Sequence, residues 1–217
     1  MATTMKIDFV SDVSCPWCVV GLRALEQAIA QIGGEVRIDL HFQPFELNPQ
    51  MPAGGQDIVE HITEKYGSSA EQVAANGEAI RARGAALGFT FDMAKRGRIY
   101  NTFDAHRLLH WAELEGRQLA LKTALFEAYF TEGLDPSDHA VLVALARKAG
   151  LDAGKAKDVL DSGAYAAEVR AQQQFYRQQG INAVPAVIIN DRHLISGGQP
   201  VEVFEQALRQ IAETEAA

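Results

Sequence analysis

Residues 6–18 read KIDFVSDVSCPWC, and this stretch decides the fold. Ile7 and Phe9 alternate with Lys6 and Asp8, and Val10 prolongs the apolar run, so the spacing predicts a first strand over about residues 5–11. Cys15-Pro16-Trp17-Cys18 follows within a few residues. Beyond it Leu22, Leu25, Ile29 and Ile32 recur in steps of three and four, one face of an amphipathic helix, with Arg23, Glu26 and Gln27 turned outward. Gly33-Gly34 ends that helix, because glycine accepts the left-handed closing position cheaply. Val36, Ile38, Leu40 and Phe42 then alternate with Arg37, Asp39, His41 and Gln43, which predicts a second strand with one buried face. The opening is strand, Cys-x-x-Cys, helix, strand.

The chain has 217 residues and 2 cysteines, and both lie in this motif. A disulfide scaffold would use more of them, so the pair calls for a chemical role. Pro16 suits the first turn of a helix, where its missing N–H costs nothing. Cys15 then stands at the helix mouth and Cys18 one turn on. Helical residues three apart have Cα atoms roughly 5–6 Å apart, within reach of a disulfide. Cys15 is expected to be exposed to the unpaired helix N–H groups, which favour its thiolate. Cys18 is expected to point inward as the resolving thiol. Cys15 would attack a substrate disulfide, and Cys18 would then release the reduced product; run backward, the steps insert a disulfide. A structural zinc site is the rival reading, but it needs four ligands. His106 and His110 stand at i, i+4 and could supply two, yet Leu108-Leu109 and Trp111-Ala112 around them read as helix core, so no metal is expected.

Working outward, Pro44–Gly55 holds three prolines and two glycines and reads as a loop. Strand signals then nearly vanish. Ser68-x-x-Glu71 suggests a capping box opening a helix toward Leu87. Further helices fit Thr102–Glu115, Leu119–Thr131, a segment capped near Asp138 and ending near Gly150, and Tyr165–Gln179. Sheet returns with Ala186–Ile189, a turn at Asn190-Asp191, and His193–Ser196. Pro200 opens a last helix whose buried face is read as Val203, Phe204, Ala207, Leu208 and Ile211. Neither end has enough strands to stand alone. The expectation is one α/β domain from residues 1–55 and 181–217, with residues 56–180 inserted as helices that cover one side of its sheet. Val184-Pro185, just before the short strand, is expected to be a cis bond that turns the Val184 backbone toward Cys15 and an extended substrate.

Hydrophobic residues at 47% and charged residues at 22% are ordinary folded-protein usage. A net charge of −8 disfavours nucleic acid and anionic membrane surfaces as partners. No apolar run approaches the roughly 20 residues that span a bilayer. No charged start followed by an apolar stretch precedes the first strand, so a cytoplasmic location is expected.

The order of elements, with Cys15-Pro16-Trp17-Cys18, Leu47-Asn48-Pro49, Ala105-His106-Arg107-Leu108-Leu109-His110, Val184-Pro185 and Ser196-Gly197-Gly198-Gln199-Pro200, resembles the DsbA-like oxidoreductases, and within them the FrnE-like branch. The resemblance runs from about Lys6 to Ile211. It implies an α/β, thioredoxin-like fold with a large all-helical insertion, Cys15 as nucleophile, Cys18 as resolving thiol, and a cis Pro185 beside them. Pro16, Trp17 and Val184 would support the site, Trp17 as part of a substrate platform. Asn48 and His106 would be substrate or glutathione contacts. Protein thiols and disulfides or glutathione would be the partners, a homodimer is compatible, and no cofactor is needed beyond the redox pair. DsbA-like enzymes often carry His where Trp17 stands. Without that charge, a less oxidising couple is expected here. Kappa-class glutathione transferases and 2-hydroxychromene-2-carboxylate isomerases are similar but usually carry Ser at the Cys15 position, which favours disulfide exchange over their chemistry. A redox-sensitive peptide-binding or chaperone module is the reading from outside the enzyme class.

Overall fold

The computed structural model describes residues 3–216. β1 (Thr3–Ser11) forms where the alternation places it. Pro16 opens α1 (Pro16–Ile32), and Gly33 closes it at a φ of 61°. β2 (Val36–Pro44) returns parallel to β1, with Phe9 opposite Phe42, as a strand–helix–strand crossover requires.

Between β2 and the later strands come β3 (Gln56–Asp57), α2 (Ile58–Tyr66), α3 (Ala70–Ala86), β4 (Arg98–Ile99), α4 (Phe103–Leu114), α5 (Gln118–Glu127) with a π-helical turn at Ala128–Glu132, α6 (His139–Lys148), α7 (Ala153–Ser162) and α8 (Ala166–Gln178). Three expectations are corrected in this stretch. The insertion is not all helix, because β3 and β4 pair antiparallel across two residues each. That pairing rests on a close approach that only glycine permits: a Cβ on Gly55, at a φ of 69°, would lie 2.2 Å from the Ile99 carbonyl. Arg98 then ties the two sides, donating to the Gly54 and Gly55 carbonyls at 2.9 Å each. The capping box of α3 is Ser69 with Gln72, one residue on from the expected Ser68 and Glu71. Finally, α2 and α7 are helices where none was expected. Both are set by local capping: Asp57 accepts from the N–H groups of Val59 and Glu60, and Asp152 from that of Lys155.

β5 (Ala186–Ile189) and β6 (His193–Ser196) form the expected hairpin, with Asn190 and Asp191 at φ 50° and 57° in its turn. α9 (Val201–Ala216) buries Phe204, Leu208 and Ile211. Val203 is 40% exposed rather than buried, because it lies a step off the stripe that these three define.

The four-stranded sheet runs β2-β1-β5-β6, with β5 antiparallel to β1. This is the thioredoxin-like architecture that the resemblance implies. Met5, Ile7 and Phe9 face α1 and α9 and share a core with Leu22, Leu25, Phe204 and Leu208. Val10 and Ala186 face the opposite way, against Tyr176 of α8. The inserted helices also do more than cover the sheet. α4–α7 bring together Ala105, Leu108, Trp111, Leu121, Leu142 and Leu160 as a separate core, reached from the sheet side by Val13. Where β2 forms the sheet edge, Gln118 of α5 stands in for a neighbouring strand: its Oε1 accepts from Phe42 N at 2.8 Å and its Nε2 donates to Phe42 O at 3.0 Å.

Candidate active site

The mouth of the site forms where β1 hands the chain to α1. Cys15 caps the helix in extended conformation (φ −91°, ψ 112°), and its carbonyl accepts the Cys18 N–H at 3.1 Å. One turn into the helix, Cys18 is fully buried. The Val184–Pro185 bond is cis, and the Cys15 thiol faces the Val184 carbonyl with Sγ at 3.7 Å. Pro185 reaches this position because Gly21 leaves room on α1: a Cβ there would stand 3.0 Å from Pro185 Cγ. Pro16 and Trp17 are half-buried at the rim, with Trp17 packed on the main core. The expected exposure of Cys15 is corrected. It is only 4% exposed in the free-thiol state, with its Sγ against the Val184 carbonyl. The ranking of the two sulfurs survives, with Cys18 the deeper. Its burial pushes the Cys18 thiol well up, and the hydrogen bond to the Cys15 sulfur and that sulfur's charge act in the same direction.

The floor holds three ionisable groups that sequence reading missed. Asp12, 1% exposed, accepts from Thr102 Oγ1 at 2.7 Å and His106 Nε2 at 3.3 Å on one oxygen, and from Leu47 N at 2.7 Å and Ser14 Oγ at 3.1 Å on the other. Burial alone would push its carboxyl up. The His106, Leu47 and Thr102 donors outweigh that and hold it below the usual carboxylate value. Lys122 of α5 is fully buried, and its Nζ has no hydrogen-bond partner among the described residues. It lies 4.8 Å from the Phe126 ring centre and 5.8 Å from that of Phe42. Burial lowers it to about 8, against the opposing charges of Cys18, Asp12 and Cys15. A second cation, Arg96, donates to the Ser14 carbonyl at 3.2 Å and stacks over Tyr129 and Phe130. The signal for Lys122 was a charge on the stripe Gln118, Lys122, Phe126, which spacing reads as core. For Asp12 and Arg96, no local pattern stands out.

The remaining sequence candidates separate. His106 belongs to the floor through Asp12 and is 2% exposed, so it faces the carboxylate rather than an outside molecule. His110, one turn on, packs on Tyr165 with ring centres 5.1 Å apart, and its Nδ1 is buried with no hydrogen-bond partner among the described residues. Asn48 lies on the loop after β2, where its Oδ1 accepts from Lys65 Nζ at 2.6 Å and lies 3.0 Å from His61 Nε2. Its side-chain oxygen is engaged within the chain. Among the described residues no three His, Cys, Asp or Glu side chains converge as a metal site would need, and no helix is long and apolar enough to cross a membrane.

The fold that carries this site has counterparts. Residues 6–209 match the family described as DSBA-like thioredoxin domain. The Bacillus subtilis (strain 168) protein YwbO, described as uncharacterized, is 30% identical over 206 residues, 94% of this chain and 96% of its own. The crystal structure of the probable DsbA oxidoreductase SCO1869 from Streptomyces coelicolor matches with a TM-score of 0.88 at 38% identity, over 97% of this chain and 91% of that one. The cytosolic disulfide reductase DsbM from Pseudomonas aeruginosa, solved with GSH, shares the fold with a TM-score of 0.64 at 16% identity, over 96% and 99% of the two chains.

Proposed function

The chain belongs to the DSBA-like thioredoxin family of disulfide oxidoreductases, and from that footing we propose that it exchanges disulfides with protein or small-thiol substrates through Cys15 and Cys18. One observation carries this reading: the only two cysteines sit one helical turn apart at the start of α1, with the cis Val184–Pro185 carbonyl facing the outer sulfur.

In the reducing direction the Cys15 thiolate attacks one sulfur of a substrate disulfide. A mixed disulfide forms, and the substrate's other sulfur leaves as a thiolate. Cys18, as thiolate, then attacks Cys15 Sγ, forms the Cys15–Cys18 bond and expels the second substrate thiolate. Two electrons pass from the enzyme to the substrate, and the reverse sequence oxidises a dithiol. The Val184 backbone supplies a carbonyl and an N–H to an extended substrate strand, which would align the target sulfur with Cys15.

Reduction of insulin by the prereduced protein tests this. Activity is expected to fall to background in Cys15→Ser, while Cys18→Ser should trap a mixed disulfide visible by intact mass. Full activity in Cys15→Ser would overturn the reading. Glutathione is the small-thiol partner we favour, supported by the DsbM structure with GSH. The Cys18→Ser protein incubated with oxidised glutathione should gain one glutathione at Cys15, and no adduct would remove glutathione from the proposal. The same cytosolic counterpart supports placing this protein in the cytoplasm. Trp17→His should make the couple more oxidising, because an imidazolium there stabilises the Cys15 thiolate; about 30 mV accompanies each tenfold change in equilibrium with glutathione. An unchanged potential would remove Trp17 as its determinant.

A further inference from the structure

At the outer edge of the sheet, β2 carries a histidine whose two ring nitrogens both face carboxylates. His41 Nδ1 lies 2.6 Å from Glu113 Oε1 of α4, and its Nε2 lies 3.1 Å from Asp39 Oδ2 of β2 itself. A neutral imidazole has one N–H and one lone pair, so it can donate to only one of these oxygens. The other contact then sets a lone pair against a carboxylate. Only the imidazolium donates to both. The place of Glu113 adds to the demand for a cation. It lies in the last turn of α4, at the negative end of the helix, and no basic residue stands in that turn.

The groups around His41 come from every element packed on this side of β2. Lys6 and Asp8 of β1, Glu113 of α4 and Tyr176 of α8 line one open groove with it, and Asp39 flanks it on its own strand. Lys6 is paired with Asp8 at 2.9 Å and with Asp191 at 2.8 Å. Burial works against charge on His41, but the bonds to Glu113 and Asp39 outweigh it and hold the ring above its ordinary 6.5.

Both ends of the α4 segment are thus tied to the sheet domain. At its start, Thr102 and His106 bond Asp12. At its end, Glu113 meets His41, and the other Glu113 oxygen accepts from Gln118 Nε2 at 3.4 Å. Gln118 in turn holds both backbone groups of Phe42. The chain of contacts runs Asp39, His41, Glu113, Gln118, Phe42, and it leaves and rejoins β2.

We propose that Asp39, His41 and Glu113 form a proton-operated clasp between β2 and the end of α4. With two ring protons the clasp is closed. Loss of one proton to solvent leaves a single N–H, releases one carboxylate, and weakens the hold of α4 and α5 on the sheet edge. Because the ring is held above its ordinary value, the clasp is fully closed below 6.5 and opens as pH rises through the raised value. The clasp lies apart from the cysteine pair and does not depend on disulfide exchange.

NMR of the full-length reduced protein tests this from pH 5.5 to 9. The His41 ring resonances follow its titration, and hydrogen exchange, corrected for the intrinsic pH dependence, follows the Phe42 amide that Gln118 protects. Protection of Phe42 should fall about fivefold with the same midpoint as the ring, as a charge-assisted bond gives way to a neutral one. The amide of Phe9, inside the sheet, should not change. In Glu113→Gln the His41 midpoint should move down, and Phe42 protection should be low and independent of pH. Asp39→Asn should act in the same direction but less, because Asp39 is 59% exposed. Constant Phe42 protection in wild type across the His41 titration would overturn the proposal without any variant. So would an equal fall at Phe9, which would make the loosening global, or an unmoved His41 midpoint in Glu113→Gln. The readout needs no turnover, so an inactive Cys15–Cys18 pair would leave the clasp standing.

Discussion

The core of helices α4–α7 and the floor beneath the cysteine pair each bury a cation, and they treat it in opposite ways. Arg107, 3% exposed, is met on every side: it bonds Asp104 Oδ1 at 2.6 Å, the Ala164 carbonyl at 2.7 Å, and the Val159 and Leu160 carbonyls. It thereby joins α4 to the end of α7 and the turn that follows. Lys122 is buried more deeply and meets no acceptor among the described residues. A guanidinium with filled donors is a fixed strut. An amine left without acceptors is poised between two protonation states, and a protein keeps such a group at a cost in stability. The difference separates a residue that ties elements of the fold together from one that the fold buries without a partner.

The contrast can be broken by stability measurements. Arg107→Ala should cost about 4 kcal/mol in chemical denaturation, because several buried carbonyls and Asp104 lose their donor together. A loss under about 1 kcal/mol would mean that the strut carries no load. Lys122→Met should be more stable than wild type at neutral pH. The native Lys122 value of about 8 lies below the 10.5 of an unperturbed lysine. Between these values the unfolded chain holds the extra proton, so wild-type stability rises with pH across that window, by about 3 kcal/mol. Met cannot titrate, so the gap should be widest below pH 8 and close toward 10.5. A gap that does not change with pH would equate the two cations after all. Asp12→Asn sharpens the picture from the anionic side. It should cost about 2 kcal/mol at pH 7, because the amide turns a donor toward donors. Asp12 is held below its ordinary 3.8, so the wild-type advantage is full above that value and fades as acid takes the native carboxylate through its own, lower one. An equal gap at pH 7 and well below that value would show that Asp12 is not ionised in the fold.

The frame of the molecule was legible because local periodicity writes it. Ile7 and Phe9, the stripe from Leu22 to Ile32, the alternation from Val36 to Phe42, and the turn at Asn190-Asp191 each declare an element within a few residues. The cysteines were legible as a compact motif following a strand, and the cis Val184–Pro185 bond from its place just before a short strand taken together with that motif. α7 was not, because only Ala156, Val159 and Leu160 mark its buried side. α2 buries nothing fully and stands on its caps at Asp57 and Gly67, a signal too short to separate from a loop. Ser68 and Ser69 both fit a cap with an acceptor three residues on, and only the packed chain distinguishes Glu71 from Gln72. The floor was illegible in principle. Asp12, Thr102, His106 and Lys122 come from three separate parts of the chain and meet only when the inserted helices close over the end of β1. Cys15 was misread as exposed for the same reason: its sulfur meets the Val184 carbonyl, 169 residues further along the chain.

One side-chain amide has a wider consequence. Because Gln118 answers both backbone groups of Phe42, a foreign polypeptide that tried to zip onto that flank would first have to evict it. The opposite flank ends in β6, where Leu194 is 53% exposed and, among the described residues, no fifth strand is aligned. Sheet growth between molecules thus meets a plug at Phe42 on one flank and an open backbone edge on the hairpin side.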